Sequence, residues 1–387
     1  MASPPTNITR KASPDNDEDE FTPSSLPPLP QSHLVVGCGF LTLDFLAIVP
    51  SFPQPDDKIR STSSKVQGGG NIGNASTCAA RLGLKPKLIS KVADDPQGRD
   101  ILEELESDGV DTSLVVVSKG KSPTTYVIVD NQMKTRTCIY TPGFPPMKPD
   151  ELSNSSLLSA LSGARLVYFD GKLHKTALVV AQEAHRMGIP ILVDAERKRK
   201  GLDILLNLST YVVCAAKFPQ EWTESPSVPS ALVSMLVRLP NVNFVIVTFG
   251  EDGCLMLERS ATAVNDQSEG MDADSLLKSL EQRKDKTTAR PTCISSTVTR
   301  MRVEGVGEVS GRFFLGTAEN IPASEVIDTT GAGDAFVGAV LYAICTGMPQ
   351  EKMLRFAAQV AAACCRALGA RTGLPGSTDP RLAPYLL

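Results

Sequence analysis

The chain contains few residues of the kinds that bind structural metals, and its cysteines show no pairing pattern. Among 387 residues there are three histidines and nine cysteines, and no two cysteines form a C-x-x-C pair. The histidines, at positions 33, 174 and 185, are not spaced as metal ligands. Because an odd number of scattered cysteines is typical of reduced thiols, we expect an intracellular protein without a zinc site.

Long apolar runs and an excess of charge of one sign are also missing. The longest apolar stretch, Ala335–Met348, contains glycine and threonine and is shorter than the ~20 residues that cross a bilayer. The net charge is −4, from 39 basic and 43 acidic residues. Since a general nucleic-acid binder would show a basic field, we expect neither a membrane span nor a nucleic-acid partner.

The first 32 residues differ in composition from the rest of the chain. They are rich in proline and contain the acidic run Asp15–Glu20, which leaves too few apolar side chains to form a core. We therefore predict a disordered tail over residues 1–32. Transit peptides are basic and poor in acids, so this tail favours a cytoplasmic location, while the Met1-Ala2-Ser3 opening leaves plastid import open.

Residues 33–387 are predicted to form one α/β domain. Its strand candidates are continuously apolar: Leu34–Val36, Lys87–Val92, Arg165–Phe169, Ile189–Asp194, Tyr211–Cys214 and Phe244–Thr248. Helical patterns separate them, at Asn74–Leu82, Gly98–Asp108, Thr176–Met187 and Pro229–Leu239, with two more at Ala332–Cys345 and Gln350–Leu368. This alternation predicts a mostly parallel central sheet with helices on both faces.

Two regions interrupt the alternation. Residues 123–141 contain two strands of alternating polar and apolar side chains, which predicts a hairpin exposed on one face. We interpret it, with a strand at about 55–66, as a small β lid. Residues 260–296 are rich in charged and hydroxyl side chains, and we expect a mobile surface insertion there with a short helix near Ser275–Gln282.

The strongest motif lies at Val326–Phe336, where a strand-like start and three small residues precede a helical pattern. The backbone N–H groups of Gly331, Ala332 and Gly333 would lie at a helix N-terminus, which favours an anion. Asp334, in the first turn, could then take a proton from a hydroxyl that attacks a phosphoryl group. A structural alternative is a tight turn whose aspartate favours the helix dipole.

A second glycine cluster opens the helix predicted from Asn74. The bare backbone of Gly69 and Gly70 would allow a polyol to approach, and Asn71 and Asn74 offer donors and acceptors to sugar hydroxyls. A flexible turn with asparagine as helix N-cap is the alternative. Asp44 follows the first strand, at the sheet edge where open α/β folds bind ligands, and could accept two sugar hydroxyls.

Taken together, these motifs resemble the ribokinase (PfkB) family of carbohydrate kinases, over residues 33 to about 380. The resemblance rests on Asp328–Phe336, on Gly69-Gly70-Asn71 with Asn74, and on the opening Gly37…Asp44, and it is greatest to the ketohexokinase branch. It implies a ribokinase-like fold and transfer of the γ-phosphoryl group of Mg²⁺-ATP to a hydroxymethyl group, with ribose or fructose as leading acceptors. Many members are activated by a monovalent cation such as K⁺.

The resemblance also implies residue roles. Asp334 matches the family's catalytic base, and residues 331–333 match its anion hole. The positions that match its sugar contacts are Asp44, Gly69, Gly70, Asn71, Asn74 and, in the lid, Arg136. The positions that match its ATP contacts are Thr248, Gly250, Gly253, Thr330, Ala361 and Cys365.

Some positions depart from the family pattern or stay ambiguous. Where relatives carry an asparagine before a metal-ordering glutamate, this chain has Lys217 before Glu221, so Glu221 is the metal candidate, with a solvated helix cap as the alternative. The basic run Arg197–Lys200 could hold ATP phosphates, but charge runs are usually solvated, and we favour an exposed loop.

A nucleoside or pseudouridine kinase and a catalytically weak PfkB-like scaffold are the rival functions. A homodimer through the lid is the candidate assembly.

Overall fold

The structure is a computed structural model that describes residue 1 and residues 33–260, 271–285 and 287–386. The predicted tail, apart from Met1, lies outside these residues. The strands are β1 (Leu34–Cys38), β2 (Thr42–Val49), β3 (Ser63–Gly69), β4 (Lys85–Ala93), β5 (Asp111–Ser118), β6 (Thr124–Asp130), β7 (Thr135–Thr141), β8 (Ala164–Phe169), β9 (Ile191–Ala195), β10 (Tyr211–Ala215), β11 (Phe244–Thr248), β12 (Cys254–Arg259), β13 (Met271–Asp272), β14 (Cys293–Ser295), β15 (Thr299–Val303) and β16 (Gly307–Gly316). The α-helices are α1 (Asn71–Arg81), α2 (Pro96–Ser107), α3 (Asn154–Leu161), α4 (His174–Arg186), α5 (Leu202–Leu208), α6 (Phe218–Thr223), α7 (Val228–Arg238), α8 (Ala273–Arg283), α9 (Ala332–Thr346), α10 (Gln350–Cys364) and α11 (Ala383–Leu386).

The described strands form one large sheet and one small sheet. The large sheet has the order β13-β15-β16-β12-β11-β10-β9-β8-β1-β4-β5, with β14 paired to β16. Its strands from β11 to β5 run parallel, and β12 joins them antiparallel. Neighbouring residues of β8 pack into different apolar cores. Leu166 packs into the core that contains α1, α9 and α10, and Val167 packs into the core that contains α4, α7 and α8. The predicted α/β fold with helices on both faces is therefore confirmed.

The small sheet is the lid, in the order β3-β2-β6-β7. Strand β2, which was not predicted, pairs antiparallel with β3 and parallel with β6. Asp44 therefore lies in a strand of the lid, whereas it was expected in a loop at the edge of the main sheet. The strand expected at 55–66 begins only at Ser63. Residues 50–62 do not form a strand because Pro53 and Pro55 lack a donor and Asp56 has a φ of 66°.

The segment expected to be a surface insertion, 260–296, packs into the main domain where the structure describes it. Residues 261–270 lie outside the described residues. Helix α8 buries Ala273, Leu276 and Leu280 in the core beside α7. These positions share one face of a helix, which explains why a segment of polar composition nevertheless packs.

The last two long helices carry small apolar side chains against the sheet. Helix α9 agrees with the predicted Ala332–Cys345, and α10 ends at Cys364, before the predicted Leu368. Over the described ranges, neither these nor the other helices combine the length and the apolar character that a bilayer crossing requires.

Candidate active site

A cavity of about 830 Å³ lies between the lid and the carboxyl ends of the parallel strands. Its wall contains residues that follow β1, β8 and β9, the ends of β10 and β11, and the first turn of α9. This is the edge at which open α/β sheets bind ligands. The predicted site residues that line it are Asp44, Gly70, Asn71, Asn74, Arg136, Thr248, Thr330, Gly331, Gly333 and Asp334.

The loop before α9 is held by the buried carboxylate of Asp328. This group accepts hydrogen bonds from the N–H and the hydroxyl of Thr330, at 2.9 and 2.7 Å, and from the N–H of Gly369 at 2.9 Å. Gly331 precedes the helix with a φ of 76°, a conformation that strains other residues. The N–H of Ala332 already donates to the carbonyl oxygen of Thr329 at 3.3 Å. Because the first N–H groups of a helix have no acceptor within the helix, Gly331 and Gly333, which line the cavity, are the residues here suited to donate to an anion.

Asp334 lies in the first turn of α9 and is hydrogen-bonded to α1. Its Oδ2 accepts from Nδ2 of Asn74 at 2.8 Å. Helix α1 begins at Asn71, three residues before the predicted start, so Asn74 is inside the first turn and is not the N-cap. Burial raises the pKa of Asp334 to about 6, although the Asn74 hydrogen bond and Lys172 lower it. A carboxylate with such a pKa is suited to accept a proton near neutral pH.

Asp44 projects from β2 into the opposite part of the cavity wall. The Thr42 hydroxyl donates to its Oδ1 at 2.7 Å. A Cβ at Gly69 would come within 2.1 Å of the Asp44 carboxylate, which requires glycine there. Burial raises the pKa of Asp44, and hydrogen bonds from Thr42 and Thr125 counteract part of this effect. A buried carboxylate of this kind is suited to accept hydrogen bonds from hydroxyl groups.

Lys172, which the sequence analysis did not single out, also lines the cavity. It follows β8, and its Nζ donates to Oδ1 of Asn71 at 2.7 Å. Two residues earlier, buried Asp170 accepts the N–H groups of Phe40, at 2.8 Å, and of Lys172, at 3.0 Å. These bonds hold the loops after β1 and β8 together. Asp170 and Lys172 follow a strand that the sequence predicts to be buried, and this position at a carboxyl end could have identified them as site residues.

The end of β9 brings further charged groups to the cavity. They are Asp194, Glu196, Arg197, Arg199 and Lys200. The basic run was expected to be an exposed loop, and Arg197, Lys198 and Lys200 are indeed exposed in a loop. Three of its four residues, Arg197, Arg199 and Lys200, also line the cavity, which was not expected. Burial opposes the ionisation of Glu196, but Lys172 and the arginines outweigh it and lower its pKa. Burial and the neighbouring carboxylates raise the pKa of Asp194 well above its usual value.

Other predicted residues do not line the cavity. These are Gly69, Ala332, Gly250, Gly253, Ala361, Cys365 and Glu221. The backbone of Gly69 lies against the carboxylate of Asp44. Gly250 and Gly253 flank the turn after β11. Glu221 and the neighbouring Lys217 are exposed at the start of α6. Within the part of the chain that the structure describes, no group of three or more His, Cys, Asp or Glu side chains is arranged to hold a metal ion.

The lid is joined to the main domain by several side-chain contacts, some of them on the cavity wall. Nη1 of Arg136 donates to Oγ1 of Thr329 at 3.1 Å. The Phe40 and Tyr140 rings meet edge to face, with centroids 5.7 Å apart. Lys65 of β3 donates to the Thr372 hydroxyl. Arg136 and Tyr140 of the lid thus both line the cavity and contact residues of the main domain or of the loop before β2.

Comparison with known proteins finds similarity to sugar kinases and, over shorter or more divergent matches, to nucleoside kinases. The family model described as pfkB family carbohydrate kinase matches residues 32–269 and 309–376. A ribokinase of Arabidopsis thaliana is 23% identical over 347 residues, which cover 88% of this chain and 78% of the relative. A ketohexokinase of Mus musculus is 22% identical over 337 residues, 84% of this chain and 94% of the relative. A nucleoside kinase of Methanothermobacter thermautotrophicus is 30% identical over 98 residues, 25% of this chain and 32% of the relative.

Solved structures share the fold. Arabidopsis thaliana ribokinase complexed with ribose and ATP aligns with a TM-score of 0.63 and 19% identity, over 92% of this chain and 99% of that one. Ribokinase from Thermotoga maritima aligns with a TM-score of 0.61 and 18% identity, over 92% and 99%. A Burkholderia thailandensis nucleoside kinase in complex with inosine aligns with a TM-score of 0.58 and 16% identity, over 91% and 96%.

Proposed function

The chain belongs to the pfkB family of carbohydrate kinases, and we propose that it transfers the γ-phosphoryl group of ATP to a hydroxymethyl group of a sugar such as ribose or fructose. The observation that carries this proposal is the position of Asp334. Its carboxylate lies at the N-terminus of α9, between the glycine backbone of that helix and Asn74, on the wall of a cavity that also contains Asp44. A proton acceptor and an anion site are thereby side by side.

In this proposal Asp44, Asn71 and Asn74 bind the acceptor hydroxyls, with Gly69 and Gly70 allowing the sugar to approach the backbone. Asp44 takes hydroxyl donors on its carboxylate, and the asparagines supply both donors and acceptors. Arg136 reaches over the acceptor from the lid, where it already contacts the loop before α9. Lid and loop together would exclude water from the reacting hydroxyl.

Asp334 then takes the proton of the hydroxymethyl group as its oxygen forms a bond to the γ-phosphorus and the bond from that phosphorus to the β,γ-bridging oxygen breaks. The N–H groups of Gly331 and Gly333 stabilise the charge that develops on the phosphoryl oxygens. The N–H of Ala332, the third residue of the predicted anion hole, already donates to Thr329. Gly333 supports this role, because a Cβ there would meet nothing within 4 Å. Packing of the fold does not call for glycine at this position, whereas close approach of a ligand to the backbone would.

For the nucleotide we propose the residues implied by the family resemblance together with the basic run. Thr248 and Thr330 line the cavity. In this proposal the bound nucleotide also has four residues outside the cavity wall behind or beside it: Gly250, Gly253, Ala361 and Cys365. Arg199 and Lys200 fit a triphosphate because their cationic side chains line the same wall. Arabidopsis ribokinase, which shares the fold, is complexed with ribose and ATP, and this supports a two-substrate cavity here.

Mg²⁺ that accompanies a triphosphate keeps several waters and phosphate oxygens and takes only one or two protein carboxylates. Glu196 fits that requirement because it lines the cavity. Burial by itself would raise its pKa, but the neighbouring cations have the larger effect and lower it, which favours the ionised carboxylate. We propose Glu196 for this role in place of Glu221, which is exposed outside the wall. Bound Mg²⁺ would neutralise charge on the transferred phosphoryl group.

A nucleoside kinase is the second candidate function. The observation that favours it is the Phe40–Tyr140 pair on the cavity wall, because aromatic faces and edges also pack against a nucleobase. The relatives support it as well, since a nucleoside kinase complexed with inosine shares the fold.

An acceptor panel tests both candidates. Wild-type protein is incubated with Mg²⁺-ATP and a pentose, a ketohexose or a purine nucleoside, and ADP release is measured together with the mass of the product. We expect kcat/KM for a sugar to exceed that for the nucleoside by at least ~10-fold. A reaction without acceptor corrects for ATP hydrolysis. Turnover of the nucleoside alone would select the second candidate, and no turnover despite measurable sugar binding would refute both.

We also propose that two copies pair through the outer face of the lid. Four side chains form a cross-strand row on that face: Phe45, Val66, Tyr126 and Ile139. The last three are each 54% exposed, and Phe45 stacks on Tyr126 at 5.3 Å. An exposed apolar row in the middle of a sheet is typical of an interface.

Sedimentation analysis tests this assembly. The wild type is expected to sediment as a dimer, and a Tyr126→Lys, Ile139→Lys variant as a monomer, because two charges in the row would lose their hydration on pairing. Leu158→Lys, at an exposed apolar position on α3, is the matched control and should remain dimeric. A wild type that stays monomeric at all concentrations would exclude the lid interface.

A further inference from the structure

Arg371 is a fully buried arginine that reaches the acceptor side of the site from the segment after α10. Its Nε donates to Oδ1 of Asn74 at 3.0 Å, and its Nη2 donates to the carbonyl oxygen of Gly69 at 3.1 Å. Its side chain is 0% exposed, and its ion pair with Glu104 is loose, at 3.6 Å from Nη1 to Oε1. Because a buried charge is costly, one loose ion pair does not account for an arginine at this position.

The chain makes room for this side chain at two glycines. A Cβ at Gly68 would lie 2.5 Å from Nη1 of Arg371, and a Cβ at Gly73 would lie 2.5 Å from Nη2. Neither glycine has a positive φ, so backbone conformation does not require glycine at either position. A glycine inside a helix is unfavourable, and at Gly73 the space for the guanidinium explains it.

The contact with Asn74 orients an amide that also contacts Asp334. A side-chain amide has an acceptor end and a donor end, and turning it over exchanges them. Arginine can only donate, so Arg371 selects the orientation in which Oδ1 of Asn74 faces the guanidinium. The NH₂ group then faces Oδ2 of Asp334, at 2.8 Å. In the opposite orientation two acceptors would face each other at Asp334.

We propose that Arg371 is a positioning residue, which fixes the Asn74 amide so that its NH₂ group holds the Asp334 carboxylate in its ionised, proton-accepting state. Its second bond, to Gly69, holds the backbone beneath Asp44 at the same time. The inference rests on the proposed function, in which Asp334 is the base and Asp44 binds the acceptor.

Other ionisable groups also act on Asp334 or are affected by it. They are Arg136 of the lid, Tyr168 of β8, Lys172 after β8, Asp194 and Glu196 at the end of β9, Cys78 of α1 and Cys364 of α10. Burial raises the pKa of Asp334 to about 6, and the hydrogen bond from Asn74 works against this rise. Replacing Arg371 also removes a positive charge, so only the part of a change in the titration of Asp334 that requires Asn74 reports on the amide.

The test is a carbon NMR titration of the aspartate carboxyl groups in wild type and Arg371→Gln, with Asp334→Asn identifying the resonance. We expect the pKa of Asp334 to rise by at least ~0.5 unit, because the freed amide no longer presents its NH₂ group. The pH at which kcat falls on the acid side should move upward by the same amount. In an Asn74→Ala background, Arg371→Gln should cause no further rise.

Arg81→Gln is the matched control. Arg81 donates to the carbonyl oxygen of Arg371 at 2.6 Å and pairs with Asp108 at 2.7 Å, so its loss should lower Tm without moving the titration of Asp334. An unchanged Asp334 titration in Arg371→Gln, or an equal shift with and without Asn74, would overturn the proposal. If Arg371→Gln does not fold, Asn74→Ala tests the second step: a raised pKa of Asp334 supports the role of the Asn74 NH₂ group, and an unchanged pKa overturns the proposal. The titration does not depend on turnover, so an inactive wild type would refute the proposed function and leave this result readable.

Discussion

Replacing Asp334 by Asn is expected to lower kcat by ~10²–10⁴-fold while ATP and acceptor still bind. The substitution keeps the size and shape of the side chain and removes only the proton acceptor. Turnover with ATP in coupled assays, and calorimetry for the two substrates, separate the two effects. Asp100→Asn, an exposed position on α2, is the matched control and should retain full activity.

The same substitution has a predicted pH signature. Asp334 must be ionised to accept a proton, so wild-type kcat should fall as the pH is lowered through about 6, the pKa to which burial raises this group. Near-normal turnover of Asp334→Asn, or a wild-type rate that is flat through that range, would exclude Asp334 as the base.

Stability should change in the opposite direction to activity. The folded-state pKa of Asp334, about 6, lies above the ordinary value of 3.8. At pH values above 3.8 the group ionises more readily in the unfolded chain, so its ionisation opposes folding there. The opposition disappears below the ordinary value, where the group is protonated in both states. Asp334→Asn should therefore raise Tm by about 2 °C at neutral pH and by nothing near pH ~3.

Replacing Asp44 by Asn is expected to raise KM for the acceptor by ~10²–10³-fold and to leave KM for ATP within about twofold. Two charge-assisted hydrogen bonds to acceptor hydroxyls would weaken, each contributing about 1.5–3 kcal/mol. Thr42 still has an acceptor in the asparagine oxygen, so the lid strand should keep its shape. Steady-state kinetics with each substrate varied in turn give the two constants.

A carboxylate elsewhere in the lid serves as the control for Asp44. Asp130, at the end of β6, accepts the N–H groups of Phe52, Gln132 and Met133 and does not line the cavity. Asp130→Asn should therefore leave both Michaelis constants unchanged even if Tm falls. An Asp44→Asn enzyme with normal acceptor KM, or with ATP and acceptor constants raised alike, would show that Asp44 does not bind the acceptor.

The sequence alone determined the parts of this protein whose physics is local. Continuously apolar strands between helical patterns indicate a parallel sheet covered on both faces, and this was confirmed. The turn before α9 could also be predicted, because Gly331 and Asp334 lie within four residues of each other and a helix start orients both. The place of Asp334 in the first turn of α9, after the glycine turn, was therefore predicted without the structure.

Tertiary structure decided which charged residues reach the cavity. The basic run and Lys172 are short polar segments after strands, and the same composition is found in solvated loops. The lid strand β2 was missed because its partners are β3 and β6, and pairing with β6 joins positions such as Asp44 and Thr125 that lie far apart in the chain.

Arg371 shows the limit most clearly. It lies 297 positions from Asn74, and nothing in its neighbourhood in the sequence indicates that it is buried. A charged side chain can be buried only where hydrogen-bond partners and an opposite charge meet it, and here these come from α1, α2 and the end of β3. Local sequence determines helices, strands and turns because their energetics involve near neighbours, whereas the cost of burying a charge is met by residues that only the folded chain brings together.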